Sequence, residues 1–309
     1  MKTPFSAKRS EVSSPSSEAI RRRRKAVEDN LLRYLDKDAC GMPAALREAM
    51  EYSLTAGGKR IRPVVLLSAG GAVGGDEEEL LPFACAVEYI HTYSLVHDDL
   101  PAMDDDDYRR GKPSSHKAFG EATAILAGDA LLTEAFRVMG EAPLAEKDPR
   151  RALAAVAVLA RAAGAEGMVG GQQLDLSAEG SRGGADDKEE IDLRKTSALL
   201  SASARMGGIL GSGTGAQVED LARYGRALGL LFQVTDDILD ETGSFEEMGK
   251  GVAKDKARGK LTYPGSFGME AAIARADTLA REALSAVSTF GGEAEALRDI
   301  VRMVAARRS

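Results

Sequence analysis

Six aspartates fall within ten residues (Asp98, Asp99, Asp104, Asp105, Asp106 and Asp107) where an apolar helical run from about residue 77 ends, and Arg109 and Arg110 follow. Adjacent like charges repel, so a run this dense needs a counter-charge. Clustered carboxylates suit a hard divalent cation, and paired arginines suit an anion bridged to that cation. An apolar shaft leading into such a site points to a diphosphate with an apolar tail. An EF-hand is excluded: counting from Asp98, Leu100 stands at the third position and Met103 where the sixth-position glycine belongs. His91 lies seven residues before Asp98, on nearly the same helix face. Pro101 disfavours a straight continuation, and a bulge or kink is expected to turn Asp104 back toward Asp98.

A second cluster reads Gln233-Val234-Thr235-Asp236-Asp237-Ile238-Leu239-Asp240. Asp236 and Asp240 are one helical turn apart, with Gln233 a turn before them. Their flanks are Leu230, Leu231, Phe232, Val234, Ile238 and Leu239, and carboxylates among so many apolar neighbours need partners or a metal. Facing helices that each bring aspartates inward could hold a cluster of Mg²⁺ ions. The third element is Gly57-Gly58-Lys59-Arg60-Ile61-Arg62-Pro63. Cations at a helix start are opposed by the helix dipole unless an anion binds there, and the glycines let backbone approach that anion. Further polar groups interrupt apolar helices at Gly170-Gly171-Gln172 and Lys195-Thr196, and a basic set runs through Lys250, Lys254, Lys256 and Lys260.

Periodic apolar segments cover about 18–37, 43–55, 61–71, 77–99, 118–139, 149–171, 189–211 and 217–240, with two more after 264. Alternating β-branched runs are missing, so the chain reads as all-α. No composition break divides it: residues 1–17 read as a disordered leader and 18–309 as a single helical domain. The loops 177–188 and 241–260 are rich in glycine and charge, as a lid over a charged ligand would be. A formal charge of −7 and the absence of Trp leave no footprint for nucleic acid. Cys40 and Cys85 cannot form a zinc site unaided, and Cys85 reads as a buried thiol. The sequence offers no apolar run of membrane-spanning length, and the cytoplasm is the default compartment. His97 is a candidate to support Asp98; His116 reads as structural or rim-located. No Gly-x-Ser-x-Gly accompanies the histidines.

The run His97-Asp98-Asp99-Leu100-Pro101-Ala102-Met103-Asp104-Asp105-Asp106-Asp107-Tyr108-Arg109-Arg110-Gly111 resembles the first aspartate-rich motif of the trans-isoprenyl diphosphate synthases. Its spacing is that of the bacterial farnesyl and plant-type geranylgeranyl diphosphate enzymes. Asp236 to Asp240 resembles the second motif, and Gly57–Pro63, Phe119-Gly120-Glu121, Leu126–Leu132, Gly171-Gln172, Lys195-Thr196 and Lys260–Pro264 follow the family in order. The resemblance covers about residues 25 to 305. It implies an all-helical bundle around a deep central cavity and a homodimer, with residues 152–160 and 198–211 as apolar stretches available for the contact. It implies Asp98, Asp104 and Asp236 sharing three Mg²⁺. Arg109, Lys195, Thr196, Gln233, Lys250 and Lys260 would hold an allylic diphosphate, and Lys59, Arg62, His91 and Arg110 isopentenyl diphosphate. Tyr93 and Ser94, five and four residues before Asp98, would shape the floor that limits product length. Ala253 stands where the family's loop has glycine. A terpene cyclase would not need the Lys59, Arg62 and His91 set, and a non-catalytic partner subunit would be expected to lose one aspartate cluster.

Overall fold

The computed structural model describes residues 15–36, 41–178, 185–242 and 261–308. Helix α1 (Pro15–Asp36) opens three residues inside the stretch expected as leader, because the fixed φ of proline suits a first helical turn; residues before Pro15 lie outside the described ones. Then come α2 (Ala44–Leu54), α3 (Ile61–Ala72) and α4 (Glu77–Asp98). Asp76 caps α4 by accepting the Glu78 N–H at 2.9 Å, and Glu77, Glu78 and Glu79 complement the helix dipole. From Leu80 to Ile90 α4 is buried on nearly every face, so it is a central shaft and not a surface helix.

A two-stranded antiparallel hairpin, β1 (Tyr108–Arg109) and β2 (Lys112–Pro113), follows the first aspartate run; it is the one sheet among the described residues, and the all-α expectation holds. Where the sequence suggests one helix over 118–139, Gly120 at φ 84° separates α5 (Ser115–Phe119) from α6 (Glu121–Gly140). Next are α7 (Pro143–Lys147), α8 (Pro149–Ala163) and α9 (Met168–Ala178). Pro149–Ala178 as a whole has the length and apolarity of a membrane span, which the sequence reading passed over, but a turn at 164–167 breaks it into helices of 15 and 11 residues. Helix α10 (Ala185–Asp192) runs through a π-helical turn, Leu193–Ser197, into α11 (Ala198–Leu210). The parts of the glycine-rich stretch 177–188 that are described are therefore helical, not loop. The chain closes with α12 (Gly215–Thr242), α13 (Tyr263–Phe267), α14 (Met269–Ala286) and α15 (Glu295–Ala305), ending in a 3₁₀ turn Ala306–Arg308.

Helix α4 packs on α6 and α3, while α11 is wedged among α3, α8 and α12, and α12 lies on α14. Residues 198–211, offered by the sequence for a subunit contact, are instead spent on this interior, with Leu199, Leu200, Ala204, Met206 and Leu210 all buried. Helix α8 keeps Leu153 exposed, and Ile125 and Leu126 of α6 and Val169 of α9 are exposed too.

Two glycines seat the π-helical turn. A Cβ on Gly171 of α9 would stand 2.2 Å from the Lys195 backbone nitrogen, and one on Gly229 of α12 2.5 Å from the Ser197 Cα. Real side chains do not fit at such distances, so the bare backbones of α9 and α12 close on the turn that carries Lys195 and Thr196.

Candidate active site

The first aspartate run folds back as Pro101 requires. Past the end of α4, the Asp104 N–H donates to the Asp98 carbonyl at 2.8 Å, Asp105 to Leu100 at 3.0 Å and Asp106 to Asp99 at 3.2 Å. Asp104, 9 % exposed, is thereby returned to the end of the shaft. Burial pushes the Asp98 carboxyl up to about 6; Lys195 pulls it down and Asp104 adds to the rise. Asp99, which sequence reasoning did not single out, is 2 % exposed and accepts from Arg109 Nε at 3.0 Å. Burial raises its carboxyl, and Arg109 limits the rise.

The second cluster comes from the last turns of α12. The three carboxylates differ in burial: Asp236 is half-buried, Asp237 buried and Asp240 exposed. Asp240 falls in the last helical turn, beyond the packed part of α12. Asp236 Oδ1 lies 2.8 Å from Arg307 of the C-terminal 3₁₀ turn, in a pair not aligned as a hydrogen bond. Burial raises the Asp236 carboxyl, and Arg307 and Lys59 oppose the rise. The Arg307 guanidinium also sits 5.2 Å above the Phe232 ring. Arg307 carried no sequence signal, because nothing in a basic chain end says which carboxylate it will meet.

Asp237 is fully engaged. Gln233 Nε2 donates to its Oδ1 at 2.8 Å; the Tyr263 N–H, at 2.8 Å, and Lys188 Nζ, at 3.0 Å, both meet Oδ2. Lys188 also reaches Asp192 at 2.6 Å. Burial pushes the Asp192 carboxyl up to about 7, and Lys188 restrains it. Gln233 accepts in turn from the Thr196 hydroxyl at 3.1 Å, and Lys195 pairs with Asp175 at 2.6 Å.

Lys59, Arg62, His91 and Arg110 line one cavity of about 380 Å³, together with Phe232 and Leu200. The geometry is built on Arg60, which takes a left-handed φ of 52° and is buried on Glu88 at 2.6 Å and the Leu54 carbonyl at 2.6 Å. That contact turns the chain so that α3 begins with Arg62 facing the cavity. His91 Nε2 accepts from Arg62 at 3.1 Å. Burial holds the His91 imidazole well below its ordinary value, with Arg62 and Arg110 adding to the effect, so it is neutral. Burial also lowers Arg62 to about 10. Arg110 donates to the Gly57 carbonyl. Gly58, at φ 128°, takes a backbone conformation that side chains strain, and a Cβ would stand 2.6 Å from the Arg110 guanidinium carbon, which would have to move. The structure thus brings all four residues of one expected diphosphate set together.

One expectation comes out differently. His97 turns from Asp98 toward α6, where it meets the Ile125 carbonyl at 3.0 Å; the face it shares with α6 decides its direction. His116 is buried, with Nδ1 at 3.1 Å from the Ser114 hydroxyl, and its ligand atom lies within 4.8 Å of those of Asp105 and Asp107. Asp107 also pairs with Lys117 at 2.8 Å. Tyr93 is buried 5.8 Å edge-on from His97, and the Ser94 hydroxyl bonds back to the His91 carbonyl at 2.9 Å. Lys250, Ala253 and Lys260 lie outside the described residues.

The Polyprenyl synthetase family profile matches residues 43–302. The chain belongs to that family. It is 50 % identical to a heterodimeric geranylgeranyl pyrophosphate synthase large subunit of Arabidopsis thaliana, over 81 % of this chain and 69 % of the relative. It is 44 % identical to farnesyl diphosphate synthase of Bacillus subtilis, over 92 % and 96 %. Among solved structures, geranylgeranyl pyrophosphate synthetase of Pyrococcus horikoshii superposes with a TM-score of 0.85 at 29 % identity, covering 94 % of this chain and 99 % of that one. An FPP/GFPP synthase of Zymomonas mobilis superposes at 0.82 and 35 %, over 94 % and 99 %. The synthase is a prenyltransferase with the all-α isoprenyl synthase fold.

The synthase should depend on Glu88, which is buried beside three arginines. Glu88→Gln removes the buried carboxylate that pairs with Arg60 at 2.6 Å and leaves it only the more exposed Glu28, at 3.9 Å; breaking a buried pair costs about 3–5 kcal/mol. Urea unfolding of the variant should show a loss of that size, and a midpoint unchanged from the parent would contradict the pairing.

Proposed function

We propose that the synthase joins isopentenyl diphosphate head-to-tail to an allylic diphosphate, dimethylallyl or geranyl, and releases farnesyl diphosphate. One observation carries the reading: a cavity lined by Lys59, Arg62, His91 and Arg110 beside two carboxylate clusters. A site for a single substrate would not need a second basic set. Residues 18–309 act as one domain, for which the continuous contacts from α1 to α15 are the support.

Asp98, Asp104 and Asp236 would hold Mg²⁺, three ions in the family's pattern. The donors fit it: they are hard oxygens, Asp98 is raised by burial, and Asp236 Oδ1 has no aligned hydrogen bond. When bound, the metal neutralises the diphosphate leaving group. Lys195 and Arg109, with Thr196, Gln233, Lys250 and Lys260, orient the allylic diphosphate so that its C–O bond breaks and the electron pair stays with the diphosphate. Lys59, Arg62, neutral His91 and Arg110 hold the second diphosphate. Its double bond attacks the allylic carbon, and the proton lost from the adduct passes to the departing diphosphate. Phe232 and Leu200 keep water from the cation.

Tyr93 supports the C15 product: it is large, buried and just below Asp98, whose charge helps raise its phenol. The second reading is geranylgeranyl diphosphate, favoured by the 50 % identity to relatives that bear that name. A homodimer is supported by exposed Ile125, Leu126, Leu153 and Val169, and a cytoplasmic site is part of the same reading.

Incubation with geranyl diphosphate, labelled isopentenyl diphosphate and Mg²⁺ should elongate the chain in a chelator-sensitive way, and Asp98→Ala and Asp236→Ala should each lower turnover by about 10³-fold or more. Elongation that persists in excess EDTA would defeat the metal assignment; none at all would defeat the reaction. Tyr93→Ala should move the product on chromatography from C15 toward C20 or longer, and an unchanged profile would put the floor elsewhere. Light scattering at micromolar concentration should give twice the chain mass, and a stable monomer would remove the dimer.

A further inference from the structure

The buried group Lys188, Asp192 and Asp237 belongs to neither proposed diphosphate set. Each residue is 4 % exposed, and a lysine is rarely so buried unless paired. Burial pulls the Lys188 ammonium down, but Asp192 and Asp237 push it further up, so it is charged. The contacts continue in one direction. Lys188 Nζ meets Asp237 Oδ2 at 3.0 Å, Gln233 Nε2 donates to Asp237 Oδ1 at 2.8 Å, and the Thr196 hydroxyl donates to Gln233 Oε1 at 3.1 Å. The Tyr263 N–H holds Asp237 Oδ2 as well, at 2.8 Å. Asp237 thus receives three donors, whereas its neighbour Asp236 is half-buried and faces Arg307.

We propose that Lys188 is a positioning residue: it fixes Asp237 as an internal brace, and through Asp237 it sets the amide of Gln233 that, with Thr196, faces the allylic diphosphate. The two adjacent aspartates of α12 then divide their work, Asp236 facing ligand and Asp237 facing protein. A side-chain amide can be turned end for end at little cost unless its partners choose. Asp237 Oδ1 takes the Gln233 NH₂, which leaves the carbonyl oxygen pointing at Thr196. Without Lys188, Asp237 loses the 3.0 Å contact that fixes its Oδ2 beside the Tyr263 N–H, and its carboxylate can rotate away from Gln233 Nε2. The orientation of Gln233 would then no longer be set.

This proposal rests on the assignment of Gln233 and Thr196 to the allylic side, and the test separates the two. Lys188→Met, Gln233→Ala and the double variant are compared with the parent in steady-state prenyl transfer, and in calorimetric titration with geranyl diphosphate and Mg²⁺. Lys188→Met should raise the KM for geranyl diphosphate about 10-fold or more and leave that for isopentenyl diphosphate within about twofold. The double variant should be no worse than Gln233→Ala alone, because the brace acts only through that amide. Equal damage to both substrates, multiplying effects in the double variant, or no effect of Lys188→Met would each overturn the proposal. If the parent binds geranyl diphosphate but does not elongate it, the reaction assignment fails, and the same pattern read in Kd decides the brace. A parent that does not bind it overturns the brace too. Should Lys188→Met not fold, Lys188→Met with Asp192→Leu removes both members of the buried pair and is read in the same way.

Discussion

Charge kept from water has to be matched by charge, and most of this molecule's site follows from that one requirement. A carboxylate or guanidinium taken into the interior loses several kcal/mol of hydration unless a partner replaces the water. Arg60 meets Glu88, Arg109 meets Asp99, Lys195 meets Asp175, and Lys188 lies between Asp192 and Asp237. Arg60 and Lys188 are thereby spent on the scaffold, while Arg109 and Lys195 are held in place by their carboxylates. Arg62 differs: its nearest polar partner is neutral His91, its Nε has no hydrogen bond, and burial lowers it. A cation in that condition fits an anionic ligand. Asp98 differs from the other side, a carboxyl raised by burial at the end of the shaft.

The backbone has to deliver these groups at close range, and it does so where regular helix gives way. Pro101 ends the shaft and the chain doubles back by three backbone hydrogen bonds, so Asp98 and Asp104 meet although five residues separate them. A π-helical turn flanked by Gly171 and Gly229 presents Lys195 and Thr196. The left-handed Arg60 swings the start of α3 so that Arg62 faces His91. In each case helix packing pays for a local irregularity that a free chain would not keep.

The two aspartate motifs illustrate how one residue type takes opposed tasks. Asp98, Asp104 and Asp236 lie at the cluster positions expected to face ligand, while Asp99 and Asp237, adjacent to two of them, face inward and anchor Arg109 and Gln233. Successive helical residues point about 100° apart, so a doubled aspartate at the end of a packed helix offers one carboxylate to each side.

The sequence by itself determined the helical class, through apolar residues recurring at helical spacing, and it determined which segments carry the chemistry, because clustered carboxylates and cations in apolar surroundings have few other uses. The return of Asp104 after Pro101 was legible too, since proline acts on its own neighbourhood. The sequence could offer Lys188 only Asp192, one helical turn on; it could not say that Lys188 also reaches Asp237, 49 residues away, nor where Arg307 and Asp175 would go, since their partners are 71 and 20 residues away and no local rule links them. Nor could it tell that His97 turns to α6, that 198–211 is interior, or that Asp237 is a brace while Asp236 is not. Those outcomes depend on which faces of α4, α10, α11 and α12 meet, and only the tertiary packing decides that.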